Sequence, residues 1–171
     1  LQTYTASIDP CLLSGKFLVL HRILSSIRRY TQDRVIIVSN FTSTLNLLQR
    51  YCVRQKFPFL RLYGRTKADV RSKMVNEFNS DSGSDHLGKQ PFVFLLSSKS
   101  GGVGLNLIGA NRLVLFDSDW NPATDRQAMA RIHRDGQLKP CFIYRLLLVG
   151  SMDEKIYQRQ ITKIGLSDSL M

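Results

Sequence analysis

Two short apolar runs do most to limit how this chain can fold. Phe92–Leu96 and Leu113–Phe116 are continuous rather than alternating. Neither offers a polar face to water, which is how a strand buried on both sides reads. Arg34–Val38 and Phe59–Tyr63 add two further strands, and Cys141–Leu148 a last one. Helical patterns stand between them. Over Ser14–Thr31 the residues Phe17, Leu20, Ile23, Leu24 and Ile27 form one face, and Arg28 and Arg29 suit the negative end of the helix dipole. A second helix reaches about Arg54 with Leu45, Leu47, Leu48 and Tyr51 mostly inward, and a third covers Thr66–Phe78. Strand followed by helix, repeated, predicts a three-layer α/β/α domain with a mostly parallel central sheet covered on both faces.

Ligands of such a sheet gather beyond the carboxyl ends of its strands. That edge collects Ser39-Asn40, Gly64-Arg65-Thr66, the loop Ser97–Asn106 and Asp117–Trp120. The loop reads SSKSGGVGLN, in which small residues let backbone N–H groups approach an anion while hydroxyls and Lys99 add donors. After Trp120, Asn121 is a good N-cap and Pro122 suits the first helical position, so a helix starts there. The spacing of Gln127, Arg131 and Arg134 predicts that they share one face of it, with Asp135-Gly136 as its end. Two planar, permanently charged guanidiniums one turn apart suit a polyphosphate or its transition state. Taken singly, a Ser or Asn in such a place is more often a turn or cap residue, and an arginine pair more often a solvated face. Convergence on one edge is what favours a site.

LLSSKSGGVGLNL, the following ANRLVLFDSDWNP and QAMARIHRDGQ resemble motifs V and VI of superfamily-two helicase-like ATPases of the Swi/Snf type. RDGQ, with CFIYRLL after it and EKIYQRQITKIGL near the end, is most similar to the branch of DNA translocases serving homologous recombination repair. The resemblance covers nearly the whole chain from Ser14 onward. It implies a RecA-like fold, with residues 1–13 an extended lead-in, 14–150 the second RecA-like lobe, and 151–171 a helix and tail that brace the companion lobe. It implies that Arg131 and Arg134 act as catalytic arginine fingers, that Gly102, Gly104, Asn106 and Gln127 sense the nucleotide, and that Asn40, Arg65, Thr66, Ser98 and Lys99 hold the DNA backbone. ATP and Mg²⁺ would then belong to the complete two-lobe protein, with neither bound tightly by this chain alone. The implied partners are double-stranded DNA, the missing first lobe and a recombinase filament; the implied place is the nucleus. One departure stands at Arg-Leu-Tyr-Gly-Arg, where the family commonly has an aspartate at Tyr63 and a small polar residue at Arg65.

Other readings fail on particular residues. Gly83–Lys89 has the spacing of a P-loop, but Gln90 replaces the Ser or Thr needed for Mg²⁺ and a strand follows where a helix should. Leu113–Asp117 imitates a Walker B strand with no P-loop to serve. Gly102-Val103-Gly104 fails as a dinucleotide fingerprint because Leu107 stands where the third glycine belongs, which disfavours a Rossmann-type small-molecule enzyme. Lys and Arg number 24 against 13 Asp and Glu, a net charge of +11 and a pI near 10.0, which favours a polyanionic partner. That surplus alone equally suits a passive nucleic-acid-binding module. Cys11, Cys52 and Cys141 are too scattered for a disulfide framework and read as reduced thiols, mostly buried. His21, His86 and His133 are unclustered, so no zinc site is expected. No apolar run approaches the ~20 residues of a membrane span, so the expectation is a soluble intracellular piece without a membrane partner.

Overall fold

In the computed structural model, residues 14–64, 66–80, 90–98 and 105–168 are described. The sheet is organised around β1 (Val35–Ser39), whose five residues are all buried. The remaining elements are α1 (Gly15–Tyr30), α2 (Thr42–Arg54), β2 (Phe59–Leu62), α3 (Ala68–Asn79), β3 (Val93–Ser97), β4 (Arg112–Leu115), α4 (Pro122–Met129), β5 (Phe142–Arg145) and α5 (Met152–Asp168). The five strands lie in the order β2-β3-β1-β4-β5, and every pair is parallel. Val35 stands opposite Val93 on one side and Arg112 on the other, so the strands begin level and their carboxyl ends make one edge.

Alternation of side chains along the strands divides the core in two. Val35, Ile37, Val93, Leu95 and Val114 pack under α1 and α2 with Leu20, Leu24, Leu48 and Tyr51. Ile36, Val38, Phe94, Leu96 and Leu113 pack on the other face with Phe78 of α3 and Ala128 of α4. This is the expected three-layer RecA-like α/β/α fold. Full burial of an Ile, Leu or Val is worth about 1.5–3 kcal/mol, so a single charge at Ile37, which is completely buried, would undo several such contacts. Tyr51 is also wholly buried. Its hydroxyl is satisfied by Nδ1 of His21 at 2.9 Å, the condition under which a polar tip is tolerated in a core.

Two expectations change. α4 stops at Met129, and Arg131 and Arg134 lie in the turns beyond it rather than on one face of a longer helix. The last amides tighten to three-residue bonds, Arg131 N to Ala128 O and Ile132 N to Met129 O, both 3.3 Å. The Arg131 carbonyl is meanwhile taken by Leu107 N at 3.0 Å, and Ile132 turns into the core at 0% exposure. At the other end, α5 continues to Asp168, so most of the expected helix and tail of 151–171 is helix. Among the described residues no helix is long and apolar enough to cross a membrane.

Candidate functional site

The carboxyl edge is held together by side chains that reach across the strands. Beyond β1, Ser39 Oγ donates to Asp117 Oδ2, and Asn40 N donates to the same oxygen at 3.1 Å. Beyond β3, Ser98 N donates to Ser39 O at 3.1 Å, and Ser98 Oγ donates to Asn40 Oδ1. Arg131 then donates from Nη2 to Ser98 O at 3.5 Å. Asn40, Ser98 and Arg131, three of the residues singled out in the sequence, thus form one bonded path from three separate segments. Asp117, set aside in the sequence as a Walker B imitation, is the anchor of that path. The side-chain amide of Asn40 accepts from Ser98 through its oxygen, so its NH₂ group is the part that carries donors.

Arg131 is 4% exposed, whereas Arg134 is exposed. Burial, and after it the neighbouring positive charge of Arg134, holds the Arg131 guanidinium below its ordinary pKa; an arginine so shifted is still a cation at neutral pH. Arg134 is near enough for its charge to be felt at Arg131, although no helix face joins them. Two like charges held together favour an anion that both can reach.

The turn after the glycine loop is gripped from both sides. Asn79, at the end of α3, donates from Nδ2 to Asn106 O at 2.8 Å and accepts from Gly109 N at 2.9 Å. Gln137 Nε2 donates to Ile108 O at 3.1 Å, Ala110 O at 2.8 Å and Ile132 O at 3.3 Å. At Gly109 a Cβ would run into the Phe78 carbonyl oxygen, so the close approach requires glycine. The side-chain oxygen of Asn106 is buried and has no hydrogen-bond partner among the described residues, an acceptor left unsatisfied within the lobe. Sequence reasoning missed both clamps, since nothing local marks Asn79 or Gln137 as a bridge.

α5 docks on this lobe itself. Gln160, 1% exposed, donates to Asp125 Oδ2 at 2.9 Å and to Asp119 O, and accepts from Arg145 Nη1 at 2.9 Å. Lys163 Nζ donates to Trp120 O at 3.2 Å. Asp125, 3% exposed in the first turn of α4, is thereby bonded on both oxygens, since Asp119 N donates to Oδ1 at 3.2 Å.

Other expected residues fare differently. Thr66 Oγ1 accepts from Tyr63 N at 3.1 Å and so closes its own turn, while Gln127 is exposed on α4. Arg65, Lys99, Gly102 and Gly104 lie outside the described residues, as does the P-loop imitation Gly83–Lys89. Cys52 is buried and its thiol is pushed up to about 12 by desolvation, leaving it inert. Among the described residues no group of three or more His, Cys, Asp and Glu is gathered for a metal.

The helicase conserved C-terminal domain family matches residues 15–136. Protein CHROMATIN REMODELING 25 of Arabidopsis thaliana is 55% identical over 154 residues, covering 90% of this chain and 16% of that protein. DNA repair and recombination protein RAD54-like of Homo sapiens is 54% identical over 159 residues, covering 93% of this chain and 20% of that protein. The chain therefore spans about a fifth or less of these two relatives. The crystal structure of the C-terminal part of the Fun30 ATPase domain superposes with a TM-score of 0.81 at 37% identity, covering 90% of this chain and 47% of that one.

Proposed function

The chain belongs to the helicase conserved C-terminal domain family, as the second RecA-like lobe of a Swi/Snf-type ATPase, and from that premise we propose that it is one motor lobe of an ATP-dependent double-stranded DNA translocase acting in recombination repair and chromatin remodelling. The observation that carries the reading is the bonded path Asp117–Asn40–Ser98–Arg131. It makes a group suited to DNA phosphate and a group suited to the nucleotide parts of one rigid edge, so displacement of one is felt at the other.

ATP supplies the phosphoryl group whose transfer drives the motor, with Mg²⁺, in the cleft between this lobe and the first. The mutually repelling Arg131 and Arg134 guanidiniums fit such a group, because a γ-phosphoryl relieves their repulsion. Both meet the charge that develops on it as the cleft closes. Asn40, Thr66 and Ser98, with Arg65 and Lys99, hold the phosphate backbone of the DNA without reading bases; Gly102, Gly104, Asn106 and Gln127 register the nucleotide. The first lobe and a recombinase filament are its protein partners, and its place is the nucleus.

The test compares ATP hydrolysis by the complete two-lobe protein, with and without duplex DNA, against hydrolysis by this chain alone. DNA-stimulated turnover by the former and none by the latter is expected, because the P-loop belongs to the first lobe. Turnover by this chain alone would overturn the division of labour. A complete protein that binds DNA without DNA-stimulated turnover would leave only the passive binding module.

A further inference from the structure

The geometry points to a second nucleic-acid site on the opposite, amino-terminal edge of the sheet, where a row of exposed cations takes the phosphodiester backbone of a strand. This inference goes beyond the motor reading and does not depend on it.

Each of α1, α2 and α3 ends at that edge, since each feeds the start of a parallel strand. Arg28 and Arg29 close α1, Arg54 closes α2 with Lys56 after it, and Lys139 precedes β5. These residues stand before β1, β2 and β5, the third, first and fifth strands across the sheet. At the ~4.8 Å spacing of strands, they span an edge of roughly 19 Å, enough for several phosphates. Six described acids, Asp69, Asp117, Asp119, Asp125, Asp153 and Glu154, lie instead in the first turns of helices or beyond β4, on the carboxyl side. At the amino edge stand Asp33 and Glu77, and Asp135 lines a cavity with Lys139 and Arg134. Asp33 is already spent on Arg112 Nε at 2.6 Å and Lys139 Nζ at 3.7 Å. This edge thus carries more described cations than carboxylates.

Last-turn arginines alone have a simpler cause, the helix dipole. Three observations exceed it. Lys56 and Lys139 are exposed and lie outside any helix. A polar cavity of about 450 Å³ opens among Arg28, Arg34, Gln90 and Lys139, with Asp33 as its one carboxylate, and has room for a sugar-phosphate unit. Tyr30 is 73% exposed, and the Arg29 guanidinium sits 5.3 Å from its ring centre, a surface on which a base can stack. Forked donors beside an open aromatic ring favour a nucleic-acid strand over an acidic protein tract, for which simple point charges suffice.

The test uses the complete two-lobe protein and a variant carrying Arg28→Gln, Arg29→Gln, Lys56→Gln and Lys139→Gln, all at exposed sites. Anisotropy titrations with labelled 15-mers, single-stranded and duplex, read the number of DNAs bound per protein and the salt dependence of each event. The variant is expected to bind one DNA fewer, with the lost event carrying a log-log salt slope of about −3. Its DNA-stimulated turnover at saturating DNA should stay within about twofold, so failure here is distinguishable from failure of the motor reading. Tyr30→Ala separates the sources: weaker single-strand binding identifies a single strand, and unchanged duplex loss in the fourfold variant identifies a duplex. Equal stoichiometry and salt slope in wild type and fourfold variant would overturn the proposal, as would a loss confined to a poly-glutamate peptide.

Discussion

The two edges of this sheet use polar residues in opposite ways. On the carboxyl edge, Asp117, Asn40, Ser98 and Arg131 bond to one another across as many as 77 residues of sequence, and Asp117 and Asp125 are spent inside the fold. Asp125, for example, is 3% exposed and fully bonded. On the amino edge, Arg28 and Arg29 of α1, Lys56 after α2 and Lys139 before β5 are exposed to solvent. A preorganised edge can couple events at distant points because its parts cannot move independently. A row of separate charges can only attract. Chemistry therefore belongs on the first edge and simple electrostatic capture on the second, and mutations should expose the contrast.

The largest effect is expected at the two arginines. In the complete two-lobe protein, Arg131→Ala or Arg134→Ala should each lower DNA-stimulated turnover by about 10³-fold, with far smaller changes in ATP and DNA binding. Lys should rescue poorly at either position. The structure splits the pair by stability. Arg131 is buried and bonded to Ser98 O, so its loss should also lower the melting temperature; Arg134 is exposed, so its loss should not. Near-normal turnover in folded variants of both would remove the chemistry from this edge and erase the contrast.

A double-mutant cycle addresses the contrast directly. Asn40→Ala and Ser98→Ala break the same hydrogen bond, so their effects on unfolding free energy should couple by about 1 kcal/mol. Arg28→Gln in the last turn of α1 and Lys56→Gln in the turn after α2 should add within about 0.5 kcal/mol. Chemical denaturation of the four single and two double variants measures both. Additivity in the first pair would show that the path across the carboxyl edge is not mechanically connected.

How far the sequence revealed these edges follows from the range of the forces involved. Continuous apolar runs announced β1, β3 and β4 within a residue or so, because burial on both faces leaves a local imprint. The three-layer fold followed from alternation of strand and helix. Strand order did not, since nothing in Val35–Ser39 says that it pairs with both β3 and β4. Asn40 and Ser98 were legible because a parallel sheet gathers ligand groups at its carboxyl edge. Their anchor Asp117, 77 residues from Asn40, and the clamps Asn79 and Gln137 were not, as long-range bonds leave no spacing to read. The end of α4 was misjudged for a related reason. Ala128-Met129-Ala130-Arg131 consists of good helix formers, yet the α-helical bonds end at Ala130 N, the next two amides tighten to three-residue bonds, and Leu107 N holds the Arg131 carbonyl away from a further turn.

The smallest effect tests the amino edge at its acid. Burial raises the pKa of Asp33, but hydrogen bonds from Arg112 and Asn111 and the charges of Arg112 and Lys139 outweigh it and hold the carboxyl below the ordinary range. A carboxyl that titrates lower in the folded than in the unfolded chain contributes its stability above the ordinary carboxylate range and loses it as pH falls through the folded value. The stability difference between wild type and Asp33→Asn should therefore be constant near neutrality, about 1 kcal/mol for a pair at this degree of exposure, and vanish in strong acid. Binding should move the other way. Asp33 lines the polar cavity with Arg28 and Lys139, so removing its charge frees Lys139 and subtracts a repulsion from any phosphodiester backbone held there. Asp33→Asn should thus weaken the fold yet tighten the second DNA-binding event at low salt, with the gain screened away as salt rises. A variant that lost stability and affinity together would show that Asp33 shapes the edge, and that loose attraction is the wrong description of it.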